Sequence, residues 1–255
     1  MDLLSGIFLL VCGVIIGALS VIFGIGGSII AVPLFRIVFG FSGNHAIATA
    51  LAIVMPTSLS GVVHLSKKEL VKYKTAVFGG ICGVIASILG ALFTQYFSSE
   101  YLMFGFGALL LLMALAILRV RENTEVNVEA PILEKSLITA LIGLIVGFFS
   151  GFFGVGGGLF AVPLLMKLRR IPIKKAIATS LMMISFFALP GTIIHYVLGN
   201  IDISIFMIVI SGSLIGTKVG ASLMVRIDEK TQRELLILML VVLSIAILYH
   251  ELFLK

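Results

Sequence analysis

Charge is scarce in this chain, and the scarcity narrows what it can be. Only 12% of its 255 residues are Asp, Glu, Lys or Arg, about half the share of an ordinary soluble domain. No tract is long and polar enough to fold as one. Cysteine is nearly missing: Cys12 and Cys82 both lie in apolar segments, far from any CxxC spacing, which argues against a disulfide framework and against a metal site. No Asp or Glu falls in the middle of an apolar segment; they gather at 69, 100, 122–134, 202, 228–234 and 251. The buried carboxylate that usually couples ion flow to membrane transport is therefore lacking. HExxH, GxSxG and a buried Asp pair are also missing, so nothing marks an enzyme. The start, Met1-Asp2 followed by apolar residues, has no basic stretch of the signal-peptide kind, and the first helix is expected to be retained.

What the chain has in abundance is apolar length. Hydrophobic residues make up 60% of it, and the mean hydropathy is +1.24. Several runs approach the ~20 residues that cross ~30 Å of hydrocarbon. The expectation is an all-α integral membrane protein, multi-pass, in the cell (plasma or inner) membrane. A net charge of +6 then belongs to loops that fix orientation rather than to nucleic-acid binding.

The chain also repeats itself. Phe23 to Phe35 reads FGIGGSIIAVPLF and Phe153 to Leu165 reads FGVGGGLFAVPLL, identical at eight of thirteen positions when Phe23 is set against Phe153. The same offset aligns Ala46-Ile47-Ala48-Thr49 with Ala176-Ile177-Ala178-Thr179, Gly61 with Gly191 and Gly90 with Gly220. Two copies of one unit are thus expected, of about five helical segments each: 1–118 and 136–255, joined by a linker over 119–135. Each half carries a short, glycine-broken or re-entrant helix. Lys and Arg number one, four and zero in windows 36–45, 65–74 and 96–104, but five, zero and three in their counterparts 166–175, 195–204 and 226–234. Basic residues collect on the cytoplasmic side, so equivalent loops are expected on opposite sides. That makes the repeats inverted and the linker cytoplasmic.

Irregular backbone survives in lipid only where protein buries it or where it lines a cavity, and glycine-interrupted segments at matching places in two halves point to a transporter's binding site. The candidates are Gly24, Ile25, Gly26, Gly27 and Ser28 in the first copy, and Gly154, Val155, Gly156, Gly157 and Gly158 in the second. The helix after each break is expected to offer unpaired N–H groups, from Ser28, Ile29 and Ile30 in the first copy, to an anion. The competing reading is close helix packing through small residues. Packing is preferred for the stripe Gly212, Gly216 and Gly220 with its mates Cys82, Ala86 and Gly90. The hydroxyls of Thr49, Thr179 and Ser180 suit an oxyanion or their own helix carbonyls. His64 and His195 lie near helix ends, where an interfacial place is usual; they are the candidates for a proton relay. Lys218, inside a span, is expected to snorkel toward the Arg226 end.

The twin glycine motifs, each followed by AIAT, resemble the sulfite exporter TauE/SafE family of membrane permeases, over essentially the whole chain. The resemblance implies a plasma-membrane transporter of sulfite, sulfonates or related sulfur anions, with its glycine motif at Gly24, Gly26, Gly27, Gly154, Gly156 and Gly157. Ser28 departs from the glycine more usual there. The expected function is export of a small anion through a midplane site, with no enzyme activity and no cofactor. The expected partners are the anion and the lipid bilayer; a homo-oligomer is left open and nucleic acid is not expected. The alternatives are proton-coupled uptake using His64 or His195, and a non-transporting membrane subunit.

Overall fold

The computed structural model describes residues 3–119 and 132–253; most of the linker expected at 119–135 lies outside them. Ten α-helices and no strand occur among the described residues. The first five are α1 (Leu3–Phe23), α2 (Ser28–Pro33, extended by a π-helical turn over Leu34–Val38), α3 (Gly43–Ser66), α4 (Tyr73–Thr94) and α5 (Ser99–Arg119). The second five are α6 (Ile132–Phe153), α7 (Gly158–Arg169), α8 (Ile173–Val197), α9 (Ile203–Arg226) and α10 (Glu229–Phe253). At the offset that sets Phe23 against Phe153, the starts of α2, α3, α4 and α5 fall on the starts of α7, α8, α9 and α10. Among the described residues, eight helices are long and apolar enough to cross a membrane, and the chain is an all-α, multi-pass membrane protein. Along α4, Ile81, Ile85, Leu89 and Phe93 point outward while Gly79, Gly83 and Ser87 are buried. Lipid replaces water as the solvent of the outer face.

The halves interlock through small residues. A methyl group at Gly212, Gly216 or Gly220 would run into the carbonyl oxygens of Leu10, Val14 and Ala18, so α9 lies against α1, parallel to it. At the mated seam, Gly143, Gly147 and Gly151 of α6 meet the carbonyls of Gly79, Gly83 and Ser87 of α4, and Gly90 meets that of Phe148. Packing is therefore what the glycine stripe does, because only glycine lets helix backbones approach so closely. Mated helices cross antiparallel. Gly61 of α3 faces Leu181 of α8 while Gly191 faces Leu51. In α5 and α10, the Gly107 carbonyl accepts from Ser244 Oγ (2.8 Å) and that of Ile117 from Arg233 Nη2 (2.7 Å).

The basic loops gather at one end of the bundle. Arg169 reaches Thr75 (3.4 Å), Lys174 donates to the Val225 carbonyl (2.9 Å), and Arg233 closes α5. The other end holds a buried cation, Arg36, forked onto Glu251 at 2.5 and 3.0 Å and onto the Phe41 carbonyl at 2.8 Å. α10 begins at Glu229, where Asp228 Oδ2 accepts from the Thr231 N–H (2.9 Å) and caps the turn. Gln232, polar in the sequence, is buried and donates to the Ile22 carbonyl.

Candidate functional site: the paired glycine breaks

Between α1 and α2 the backbone turns through three left-handed residues, Gly24 (φ 70°), Gly26 (φ 75°) and Gly27 (φ 89°). Between α6 and α7 it does so at Gly154 (φ 62°), Gly156 (φ 65°) and Gly157 (φ 79°). A side chain in this region costs about 1–2 kcal/mol per residue, so both breaks require glycine at these places. Ile25 and Val155, between the glycines, are fully buried. The Ile25 N–H donates back to the Ser20 carbonyl at 3.1 Å. One expectation needs correcting: the Ile30 N–H is not free, since it donates to the Gly27 carbonyl at 3.2 Å, as Phe160 does to Gly157 at 3.1 Å. Ser28 and Ile29, with Gly158 and Leu159, supply the N–H groups that open the two helices.

The two breaks touch. A methyl at Gly158 would strike the Gly24 carbonyl and the Ile25 Cα, and one at Gly156 would lie 3.2 Å from the Ile25 carbonyl. That contact explains why the second copy has glycine where the first has Ser28: position 158 faces backbone and has no room for Cβ. Val54, fully buried in α3, stands between the breaks. Its Cγ1 would lie 2.7 Å from a Cβ at Gly26 and 2.8 Å from one at Gly156.

Side chains from α3 and α8 hold the first break. Ser180 Oγ lies within reach of the Gly24 carbonyl (2.9 Å) as well as its own helix carbonyl at Ile177 (2.8 Å). Thr57 Oγ1 likewise faces the Gly26 carbonyl (3.0 Å) and those of Ile53 and Val54 (2.7 and 2.9 Å). Thr49 and Thr179 work at the rims: Thr49 Oγ1 accepts from the Asp202 N–H and Thr179 Oγ1 from the Lys72 N–H, both at 3.1 Å. These mated bonds tie each half to the start of a helix in the other, α9 and α4.

The histidines differ from expectation and from each other. His195 is not interfacial but fully buried; its Nε2 donates to the Gly151 carbonyl at 3.2 Å, three residues before the second break, and its Nδ1 has no partner among the described residues. His64 is half-buried, with Nδ1 on its own helix carbonyl at Ser60 (2.7 Å). Lys218 is exposed on the outer side of α9, away from the breaks.

Beside Ser28, which the sequence marks as a candidate, the polar residues Ser20, Ser58 and Ser150 near the breaks escaped the sequence reading. The hydroxyls of Ser20, Ser28, Ser58 and Ser150 are fully buried and find no partner among the described residues. An unpaired buried hydroxyl costs about 1–3 kcal/mol, and native proteins hold few such groups. Ser20 and Ser150 occupy equivalent positions of the two copies, just ahead of the breaks, a signal available in the repeat. Ser58 has Ala188 as its mate and gave none.

Residues 9–247 match the family model described as Sulfite exporter TauE/SafE. The chain belongs to this family. It is 25% identical to the probable membrane transporter protein YunE of Bacillus subtilis (strain 168), over 98% of this chain and 100% of that protein. It is 28% identical to a probable membrane transporter protein of Xylella fastidiosa (strain 9a5c), over 92% and 91%. It is 27% identical to the probable membrane transporter protein MJ0441 of Methanocaldococcus jannaschii, over 89% and 90%. No solved structure matches it significantly. The TauE/SafE assignment makes this chain a membrane transporter of a small solute.

Proposed function

We propose that the chain exports a small anion, a sulfur oxyanion such as sulfite or an organosulfonate, across the plasma membrane without enzyme chemistry. The observation that carries this reading is the meeting of two left-handed glycine breaks, one from each half, around Val54. Each break opens a helix whose first N–H groups point into low-dielectric protein. Two such ends favour an anion without a buried cation. The first break lies toward the end that carries the basic loops, with Gly24 against Ile177 near the start of α8, and the second toward the opposite end, with Gly154 against Ile47 near the start of α3. An anion leaving a negative interior gains about 2.3 kcal/mol per charge per 100 mV, so export needs no coupling carboxylate. The TauE/SafE family name supports the choice of substrate class. The test is a binding screen of sulfite, thiosulfate, sulfate and methanesulfonate against the purified protein, scored by thermal stabilisation. At 100 times its dissociation constant a ligand adds about 2.7 kcal/mol, and a protein stabilised by none of them would end the proposal.

His195 gives a second reading its footing. A buried imidazole bound to the Gly151 carbonyl, which lies three residues ahead of the second break, suits uptake by proton symport. Flux that rises with an imposed proton gradient and collapses in His195→Gln would favour symport; flux indifferent to pH favours export by uniport.

A further inference from the structure

Three of the hydroxyls that lack a protein partner belong to the first break, and they flank three consecutive residues of it. Ser58 Oγ lies 3.4 Å from where a Cβ would sit on Gly26, and Ser20 Cβ lies 3.4 Å from the same point on Gly27. Ser28 follows directly. All three are fully buried, and none has a hydrogen-bond partner among the described residues. The neighbouring hydroxyls are occupied: Thr57 and Ser180 face the Gly26 and Gly24 carbonyls. That division matters chemically. The Gly24 and Gly26 carbonyl oxygens, which would repel an anion, face the hydroxyls of Ser180 and Thr57, while the hydroxyls of Ser20, Ser28 and Ser58 keep their protons to give. The second break has no such set. Its equivalents of Ser28 and Ser58 are Gly158 and Ala188, and only Ser150 remains.

From this asymmetry we infer that Ser20, Ser28 and Ser58 are the side-chain donors that bind the transported oxyanion, so that the first break holds the cargo and the second closes against it. This rests on the anion reading above and deepens it. Three uncharged O–H donors beside the Ser28 and Ile29 N–H groups suit an anion with several oxygen acceptors. They hold it without the strong charge pairing that would slow release. Gly158 and Gly156, pressed against the Gly24–Ile25 backbone, form the opposing wall.

The experiment compares Ser20→Ala, Ser28→Ala, Ser58→Ala and Ser150→Ala in the full-length protein in lipid nanodiscs, with sulfite as probe and thermal unfolding as readout. A hydroxyl with no protein partner can be removed without loss, so each first-half variant should unfold at or above the wild-type temperature without sulfite. Each should also bind sulfite about tenfold more weakly, the effect of one hydrogen bond. Ser150→Ala should bind within about threefold of wild type, well short of one hydrogen bond. Unchanged sulfite affinity in the three first-half variants would overturn the inference while leaving the anion reading intact. Lowered stability without sulfite would mark these serines as structural and overturn it too. Equal loss in Ser150→Ala would overturn the asymmetry. A wild-type protein that binds none of the four anions screened would defeat both readings together.

Discussion

Replacing Gly26 with alanine tests whether the two breaks converge on Val54. Two effects add at this position. The left-handed φ of 75° costs a side chain about 1–2 kcal/mol. The new methyl would then lie 2.7 Å from Val54 Cγ1, an overpacking of the kind that costs about 1–3 kcal/mol. Gly26→Ala should therefore destabilise by about 2–5 kcal/mol. Gly40→Ala is the control: its φ is 65° but nothing lies within 4 Å of the added methyl, so only the first term, about 1–2 kcal/mol, applies. Val54→Ala removes the obstructing methyls and leaves a cavity of its own. In the double variant the clash is gone and the new methyl partly fills that cavity. A double-mutant cycle should give a favourable coupling of about 1–3 kcal/mol. The same cycle with Gly156→Ala should couple similarly, because that methyl would lie 2.8 Å from the same Val54 Cγ1. Equilibrium unfolding in mixed detergent micelles, followed by helical circular dichroism, measures all of these. Additive behaviour in both cycles would refute the shared contact at Val54.

Two further predictions concern orientation and charge. Single cysteines placed within 65–74 and within 166–175 should both resist an impermeant thiol reagent in intact cells, while one at 198–200 should react; labelling of both basic loops from outside would reverse the orientation. Lys218→Met should express and transport nearly as wild type does, because the side chain faces outward and its loss removes a charge that costs about 2.5–3.5 kcal/mol at mid-membrane. A large loss of flux with intact folding would place Lys218 in the substrate path.

The parts of this molecule that the sequence revealed are those written as patterns. The internal repeat located both breaks, and glycine's freedom at positive φ accounts for their left-handed turns at Gly26 and Gly156. The Gly212, Gly216 and Gly220 stripe announced a helix seam. What stayed hidden depends on which atoms meet across the halves. Val54 is one apolar residue among many until two breaks from distant segments close on it. Ser28 and Gly158 look interchangeable in the alignment; only the contact of Gly158 with the Gly24 carbonyl shows why they differ. His195 sits near a helix end, which suggests an interface, yet α6 covers it. Gln232 and Arg233 are polar, yet both donate to backbone carbonyls of the first half, at Ile22 and Ile117. Hydropathy cannot distinguish a polar residue that pairs inside from one that faces water.

The measurement closest to the central claim is electrogenic sulfite flux in proteoliposomes, compared between the wild type, Gly26→Val and Gly156→Val. An imposed potential of about 100 mV, negative on the sulfite-loaded side, drives a monoanion out with about 2.3 kcal/mol, equivalent to a concentration ratio of about fifty. Wild-type vesicles should release sulfite in proportion to that potential and independently of a pH gradient. Either valine variant, folded and inserted but with bulk thrust against Val54 where the breaks meet, should release none. Wild-type flux in both valine variants would contradict the account and leave the glycine breaks as packing devices.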